Sequence, residues 1–207
     1  MLERRGRVRV GAYTLCEPKR ASEGLAVKKV LVVYATKSGC TQSIAERIGA
    51  VMAQSGARVD VLTPDKAVDP SVYNYILVGS GIRIAQWHRS AIEWLTTHAE
   101  ILRSKPLAIF SVCLTLVKHP EQAEEVRSWI HPLVAELGIE PLNHGVFLGW
   151  GIPEKFSLVE STLMWAHGDR CGDFRDWAAI NEWSHLVARE MALMGPTCEI
   201  ADGPGHH

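Results

Sequence analysis

The chain has 207 residues, of which 47% are hydrophobic and 22% are charged, and its formal net charge is -1. This composition is typical of a globular protein and excludes disorder over most of the length. The balanced charge argues against a nucleic-acid partner, and no apolar run approaches the length of a membrane span.

The five cysteines are far apart and are never spaced as C-x-x-C, which argues against a disulfide scaffold or a zinc finger. They favour a reducing compartment, so we expect a cytoplasmic protein. We expect a basic N-terminal extension over residues 1–27, one folded domain over residues 28–196 and a loose tail over residues 197–207. The extension is interpreted as flexible and solvated, and contact with anionic lipid or a partner is the alternative.

Strands and helices alternate along the chain after Lys29. Residues 30–34 form a continuous apolar and β-branched run, which is typical of a strand buried on both faces. Within the helix predicted for residues 123–137, Pro132 predicts a break, and Gly138 predicts the end. The predicted strands are 30–34, 58–62, 75–80, 107–113 and 145–149, and apolar stripes predict helices around 44–52, 92–102, 123–137 and 180–194.

This alternation predicts an α/β fold. Parallel strands need crossover helices, so the simplest arrangement is an open, five-stranded parallel sheet with helices on both faces. Ligands bind such sheets beyond the carboxyl ends of the strands, where the strand order reverses. The loops to consider are therefore residues 36–41, 80–88 and 113–117.

The first of these loops is rich in hydroxyl groups. Thr36, Ser38 and Thr41 surround Gly39 just before the first helix. A helix start presents unpaired N–H groups and partial positive charge, so this cluster predicts a phosphate site. The alternative is that Ser38 or Thr41 only caps the helix, but capping needs one hydroxyl and three are present.

The sequence excludes several phosphate chemistries. It has no P-loop spacing, and Ile84 occupies the last glycine position of a dinucleotide fingerprint. Cys40 and Arg47 are one residue too far apart for a tyrosine-phosphatase cradle, and the strand ends lack the acidic residues of a magnesium-binding receiver domain. A phosphate held by hydroxyls and amides, with no metal and no nucleophile, indicates the phosphate group of a bound cofactor.

The T-x-S-G-x-T pattern of residues 36–41 resembles the FMN-phosphate loop of flavodoxins. The order of strands and helices resembles that family as well, over roughly residues 28–195. The resemblance implies a flavodoxin-like doubly wound sheet with strand order 2-1-3-4-5 and FMN as the cofactor.

Later segments resemble the flavodoxin-like, menaquinone-dependent protoporphyrinogen oxidase (dehydrogenase) family. Residues 79–88 resemble its second flavin loop and residues 111–114 its third. An inserted segment before the last helix, followed by Asp173, Arg175 and Trp177, resembles its C-terminal pattern. The resemblance implies FMN contacts from Thr36, Lys37, Ser38, Gly39, Cys40 and Thr41, from Ser80, Gly81, Ile82, Arg83 and Trp87, and from Ser111, Val112, Cys113 and Leu114.

This family resemblance implies an oxidoreductase of heme biosynthesis, with a porphyrinogen as electron donor and a quinone as acceptor. No side chain stands out as a general base, so no catalytic residue is assigned. The alternatives are an electron-transfer flavodoxin that docks on a redox partner protein, and a domain that has lost its cofactor. In the inserted segment, a stripe of Phe156, Val159, Leu163 and Met164 predicts either a helix packed on the sheet or a face for a quinone, a porphyrin or the membrane surface.

Several candidate residues have competing interpretations. Ile82 and Trp87 are predicted to flank the flavin ring. For His88, capping of a helix or simple exposure is favoured over donation of a hydrogen bond to the ring or the substrate. Cys40 and Cys113 are interpreted as small apolar fillers, not nucleophiles. Asp173 and Asp176 together predict an N-cap before Trp177, and Arg175 either pairs with Asp176 or reaches the site.

Overall fold

The computed structural model describes residues 27–152, 171–191 and 193. The predictions for the basic extension, for the apolar stripe of the inserted segment and for the tail 197–207 lie outside these described residues, apart from residue 27. Within the described ranges, no helix has the length and apolar character needed to cross a membrane.

One sheet forms the centre of the fold. Its strands are β1 (Lys29–Ala35), β2 (Arg58–Leu62), β3 (Tyr75–Arg83), β4 (Gln86–Trp87), β5 (Leu107–Cys113) and β6 (Asn143–Leu148). Five of these strands run parallel in the order β2-β1-β3-β5-β6, and β4 pairs antiparallel with the end of β3. With the short β4 set aside, this is the order 2-1-3-4-5, so the predicted flavodoxin-like fold is confirmed.

Helices connect the strands where the apolar stripes predict them. The predicted helices 92–102 and 123–137 are each divided into two. The described helices are α1 (Cys40–Gln54), α2 (Arg89–Thr97), α3 (Ala99–Leu102), α4 (Thr115–Lys118), α5 (Ala123–Ser128), α6 (His131–Glu136) and α7 (Trp177–Glu190). The break predicted from Pro132 is confirmed, because α5 ends before it and α6 begins at His131. Gly138 follows α6 with a φ of 63°, which is the left-handed conformation that glycine adopts most readily at a helix end.

Side chains of β1 alternate between two apolar cores. Val30, Val32 and Tyr34 pack with α1 and α7 on one face of the sheet. Leu31 and Val33 pack with α2, α3 and α6 on the other face. Burial on both faces explains why this strand reads as a continuous apolar run in the sequence.

The carboxyl ends of the central strands meet at one edge. Ala35 pairs with Ser80, Gly81 with Val112, and the ends of β5 and β6 pair with each other. A two-stranded ribbon of β7 (Trp150–Gly151) and β8 (Gly172–Asp173) follows β6. The register therefore brings the three predicted loops, and this ribbon, to the same edge of the sheet.

The second predicted loop differs from the expectation. Residues 80–83 are the last part of β3, which turns back as β4 to form a hairpin. The reason is cross-strand pairing, since Ile82 pairs with Trp87 and Arg83 with Gln86. Only Ile84 and Ala85 remain as the turn.

Candidate functional site

The loop between β1 and α1 leaves the start of the helix without a capping side chain. The N-cap is Gly39, with φ 85° and ψ -5°, and among the described residues no side chain accepts a cap hydrogen bond there. The left-handed conformation favours glycine, which has no Cβ to clash. Capping by Ser38 or Thr41 is thus not what the structure shows, and the first-turn N–H groups are not taken up by a cap, as an anion site requires.

Two hydroxyl groups of this loop are held by hydrogen bonds that they accept. Thr36 Oγ1 accepts from the Gly39 N–H at 3.0 Å, and Ser38 Oγ accepts from the Trp150 indole Nε1–H at 3.2 Å. A hydroxyl that accepts a hydrogen bond still carries a proton to donate. These two side chains therefore fit a phosphate, because their donor capacity suits its oxygens.

Thr41 lies between the first loop and the hairpin. Its side chain is only 1% exposed. A Cβ built on Gly81 would lie 3.1 Å from Thr41 Oγ1, so a larger residue at position 81 would crowd this hydroxyl. Lys37, by contrast, is exposed at the rim of the loop.

Cys40 is a buried, neutral thiol. It is 5% exposed, and its Sγ accepts a hydrogen bond from the Trp150 backbone N–H at 3.3 Å. Burial raises the pKa of the Cys40 thiol to about 11 and also raises the pKa of the Cys113 thiol. The nucleophile is the thiolate, so both cysteines fit the interpretation as apolar fillers.

The base of the hairpin is held by Ser80, which is fully buried. Its Oγ accepts from the His88 backbone N–H at 2.7 Å and donates to the Gly81 carbonyl at 3.0 Å. His88 in turn is the N-cap of α2, where its ring nitrogen accepts from the Ser90 N–H. The prediction that His88 caps a helix is confirmed.

Trp87 lies in the core under the hairpin. It is 4% exposed, and its indole Nε1–H donates to Ser111 Oγ at 3.0 Å. Ser111 Oγ is also 3.0 Å from His144 Nε2. The structure thus gives Trp87 and Ser111 a role in packing. Their contact with a flavin stays a prediction, to which these buried positions lend no support.

The remaining predicted residues lie nearer the open edge. Ile82 and Leu114 are half-buried, Arg83 is exposed, and Val112 is buried at the end of β5. Ile82 and Leu114 are therefore the apolar candidates for contact with a flat ring.

Trp150 is a site residue that the sequence analysis missed. Besides its hydrogen bonds to Ser38 and Cys40, its ring lies 4.4 Å from the guanidinium carbon of Arg175. The signal that could have found it is its place directly after the last parallel strand, on the ligand-binding edge.

The sequence pattern around α7 is corrected in one detail. Asp176 alone is the N-cap, accepting from the N–H groups of Ala178 and Ala179. Asp173 instead forms a two-oxygen ion pair with Arg175, because a carboxylate matches the guanidinium fork. This pairing lowers the pKa of the Asp173 carboxyl and raises the pKa of Arg175.

Comparisons with known proteins identify the family of the chain. The family described as flavodoxin domain matches residues 31–170. Protoporphyrinogen IX dehydrogenase (quinone) of Escherichia coli is 28% identical over 123 residues, covering 58% of this chain and 68% of that protein. The Leishmania major protein of the same name is 27% identical over 178 residues, covering 80% of this chain and 77% of its own.

Solved flavodoxins have the same fold. A short-chain flavodoxin associated with a bacterial microcompartment gives a TM-score of 0.51 at 10% identity, covering 80% of this chain and 99% of that one. A flavodoxin from the domain Archaea gives a TM-score of 0.50 at 17% identity, covering 79% and 99%.

The chemistry of the site fits FMN. The uncapped start of α1 and the loop hydroxyls suit a phosphate monoester, and Ile82 and Leu114 are half-buried apolar residues of the other two predicted loops. FMN is the cofactor to which the flavodoxin domain and its structural neighbours point. On the family match over residues 31–170 and the fold, the chain belongs to the flavodoxin domain family.

Proposed function

We propose that the chain is an FMN-dependent dehydrogenase that oxidises a porphyrinogen and reduces a quinone. The flavodoxin domain supports an FMN oxidoreductase, and the two relatives named above support this particular donor and acceptor. The observation that carries the proposal is the uncapped, hydroxyl-lined start of α1 in a chain with these relatives.

When bound, FMN supplies the hydride and electron transfer. The residues of this chain would bind and orient it. Thr36, Ser38 and the first-turn N–H groups would hold the phosphate, while Thr41 keeps the loop against the hairpin. Ile82 and Leu114 would exclude water from the ring.

The purified protein tests the proposal directly. We expect a yellow protein with an FMN spectrum that produces porphyrin fluorescence from protoporphyrinogen when menaquinone is present. A yellow protein with no substrate-dependent fluorescence above autoxidation would contradict the proposed substrates and favour the electron-transfer flavodoxin. A colourless protein that cannot be reconstituted with FMN would contradict the cofactor as well.

A variant of the loop tests where the phosphate binds. The triple change Thr36→Ala, Ser38→Ala, Thr41→Ala removes the loop hydroxyls, and we expect it to weaken FMN binding roughly tenfold or more, since one hydrogen bond to a charged group contributes about 1.5–3 kcal/mol. Because Thr41 is buried, a Thr41→Ser version and thermal unfolding of both apo forms separate loss of binding from loss of folding.

A further inference from the structure

The guanidinium of Arg175 contacts two indole rings and one carboxylate. Its central carbon lies 4.4 Å from the Trp150 ring centroid and 4.5 Å from that of Trp177. Both carboxylate oxygens of Asp173 accept hydrogen bonds from it. We call these four residues the Arg175 cluster. Cation–π contacts within about 6 Å and a two-oxygen ion pair are each favourable, so the group has one preferred position.

The Arg175 cluster contacts the phosphate loop through Trp150. The indole N–H donates to Ser38 Oγ at 3.2 Å, and the backbone N–H donates to Cys40 Sγ at 3.3 Å. Between them, a Cβ built on Gly39 would lie 3.6 Å from Trp150 Cζ2. Trp150 therefore contacts Ser38 and Cys40 and leaves room for only a small residue at position 39.

A second connection runs directly from Arg175 to the first turn of α1. Its Nη1 donates to Ser43 Oγ at 2.7 Å, and Ser43 Oγ donates to the Cys40 carbonyl at 2.7 Å. Both connections therefore meet at Cys40. The side chain of Arg175 is 12% exposed, so solvent competes little for these contacts.

We propose that Arg175 is a positioning residue for the FMN phosphate, acting through Trp150 on Ser38. The inference rests on FMN binding at this loop. The charge of Arg175 is already neutralised by Asp173, so its contribution is to fix geometry: an indole held by the guanidinium orients the Ser38 hydroxyl before the ligand arrives. Preorganisation of this kind raises affinity because less conformational freedom is lost on binding. Lysine cannot replace arginine here, since it has neither the planar face nor the fork.

The experiment measures FMN affinity of the apo form of the full chain by quenching of flavin fluorescence. The variants are Arg175→Lys, Trp150→Phe, Ser38→Ala and the double variant Trp150→Phe, Ser38→Ala. Trp150→Phe keeps an aromatic ring for stacking but removes the indole N–H. The matched control is Arg103→Ala, because Arg103 precedes the amino end of β5, at the opposite edge of the sheet, where its Nε donates to the Leu137 carbonyl.

We expect Arg175→Lys and Trp150→Phe each to raise the FMN dissociation constant roughly tenfold, the equivalent of one ordered hydrogen bond. Arg103→Ala should leave the FMN dissociation constant unchanged. The double variant should bind FMN as Ser38→Ala alone does, because Trp150 acts through Ser38. A purely structural role would not produce this coupling.

Three results would overturn the inference. One is wild-type affinity in Arg175→Lys. Another is a double variant whose loss of FMN-binding free energy equals the sum of the losses in the two single variants. The third is a loss of affinity that follows a loss of apo-protein circular dichroism in the same variant. If the parent binds FMN and Arg175→Lys binds it equally well, the positioning role fails and the proposed function stands. If the parent binds no FMN, both fail.

Discussion

The role of Cys40 differs from the one that its place in the sequence suggests. In the sequence it occupies a loop where polar residues bind phosphate, which invites comparison with a nucleophile cradle. In the structure its side chain belongs to the apolar core between the sheet and helices α1 and α7, where its Sγ accepts a hydrogen bond from the Trp150 backbone N–H. The buried thiol therefore supports the loop from the core side, and the backbone and hydroxyl groups of the loop are the ones left for a ligand.

This burial predicts a difference in thiol reactivity. We expect iodoacetamide at pH 8 to label Cys171, which is exposed, much faster than Cys40 or Cys113, which are buried. The raised pKa values of the two buried thiols leave little thiolate to react. Mass spectrometry of the individual peptides measures this, and labelling in urea is the control. Equal labelling of Cys40 and Cys171 in the native protein would contradict it.

At the scale of elements, the β3–β4 hairpin carries unusual backbone strain. Its two turn residues, Ile84 and Ala85, have φ values of 48° and 54°, and Ile84 is 93% exposed. A two-residue turn between twisted strands requires positive φ, a conformation that suits Asn and Gly and that costs a β-branched residue most. Strain of this kind is found mainly near functional sites, and this hairpin stands at the ligand-binding edge.

Relieving that strain should stabilise the protein. We expect Ile84→Asn to raise the free energy of unfolding by about 1 kcal/mol, because Asn tolerates the left-handed conformation and Ile does not. Urea unfolding measures the change. The matched control is Val68→Asn, since Val68 is 75% exposed without positive φ and should gain nothing. An unchanged or lower stability for Ile84→Asn would show that the turn is not strained.

At the scale of the whole molecule, a buried chain of polar groups links the hairpin to the last parallel strand. Trp87 donates to Ser111, whose hydroxyl can then donate to His144 Nε2. The Nδ1 atom of His144 is buried and has no hydrogen-bond partner among the described residues. Burial, together with the nearby His131 and Arg127, lowers the pKa of His144 to about 3.

The lowered pKa of His144 makes folding depend on pH. An unfolded imidazole has a pKa near about 6.5, so below that pH the unfolded chain binds a proton that the folded chain does not. The neutral His144 contributes its full stability above about pH 6.5. This contribution is lost as the pH falls toward the pKa of His144 in the folded chain, at up to about 1.4 kcal/mol per pH unit.

Urea unfolding at pH 7.0 and pH 5.5 tests this dependence. We expect the free energy of unfolding to fall by roughly 1 kcal/mol between the two, and to fall less in His144→Gln, which cannot titrate. Equal losses in the wild type and His144→Gln would exclude His144 as the cause.

The sequence pattern alone was sufficient for the strands and for their parallel sheet, whereas the strand order was implied by the resemblance to flavodoxins. The reason is that these features depend on local patterns: a continuous apolar run such as residues 30–34 is buried on both faces, and parallel strands require the crossovers between them. The hydroxyls around Gly39 are neighbours along the chain, so their clustering is visible in the sequence itself.

Only the tertiary structure decided which distant side chains meet at that loop. Trp150 contacts Ser38, which is 112 residues away along the chain, and Arg175 contacts Ser43, which is 132 residues away. Trp87, which was predicted to flank the flavin, is buried in the core. Periodicity reports which face of an element is buried, but not which side chain from another element fills the space beside it. That choice depends on shape and hydrogen bonding in the packed molecule, so it exists only after folding.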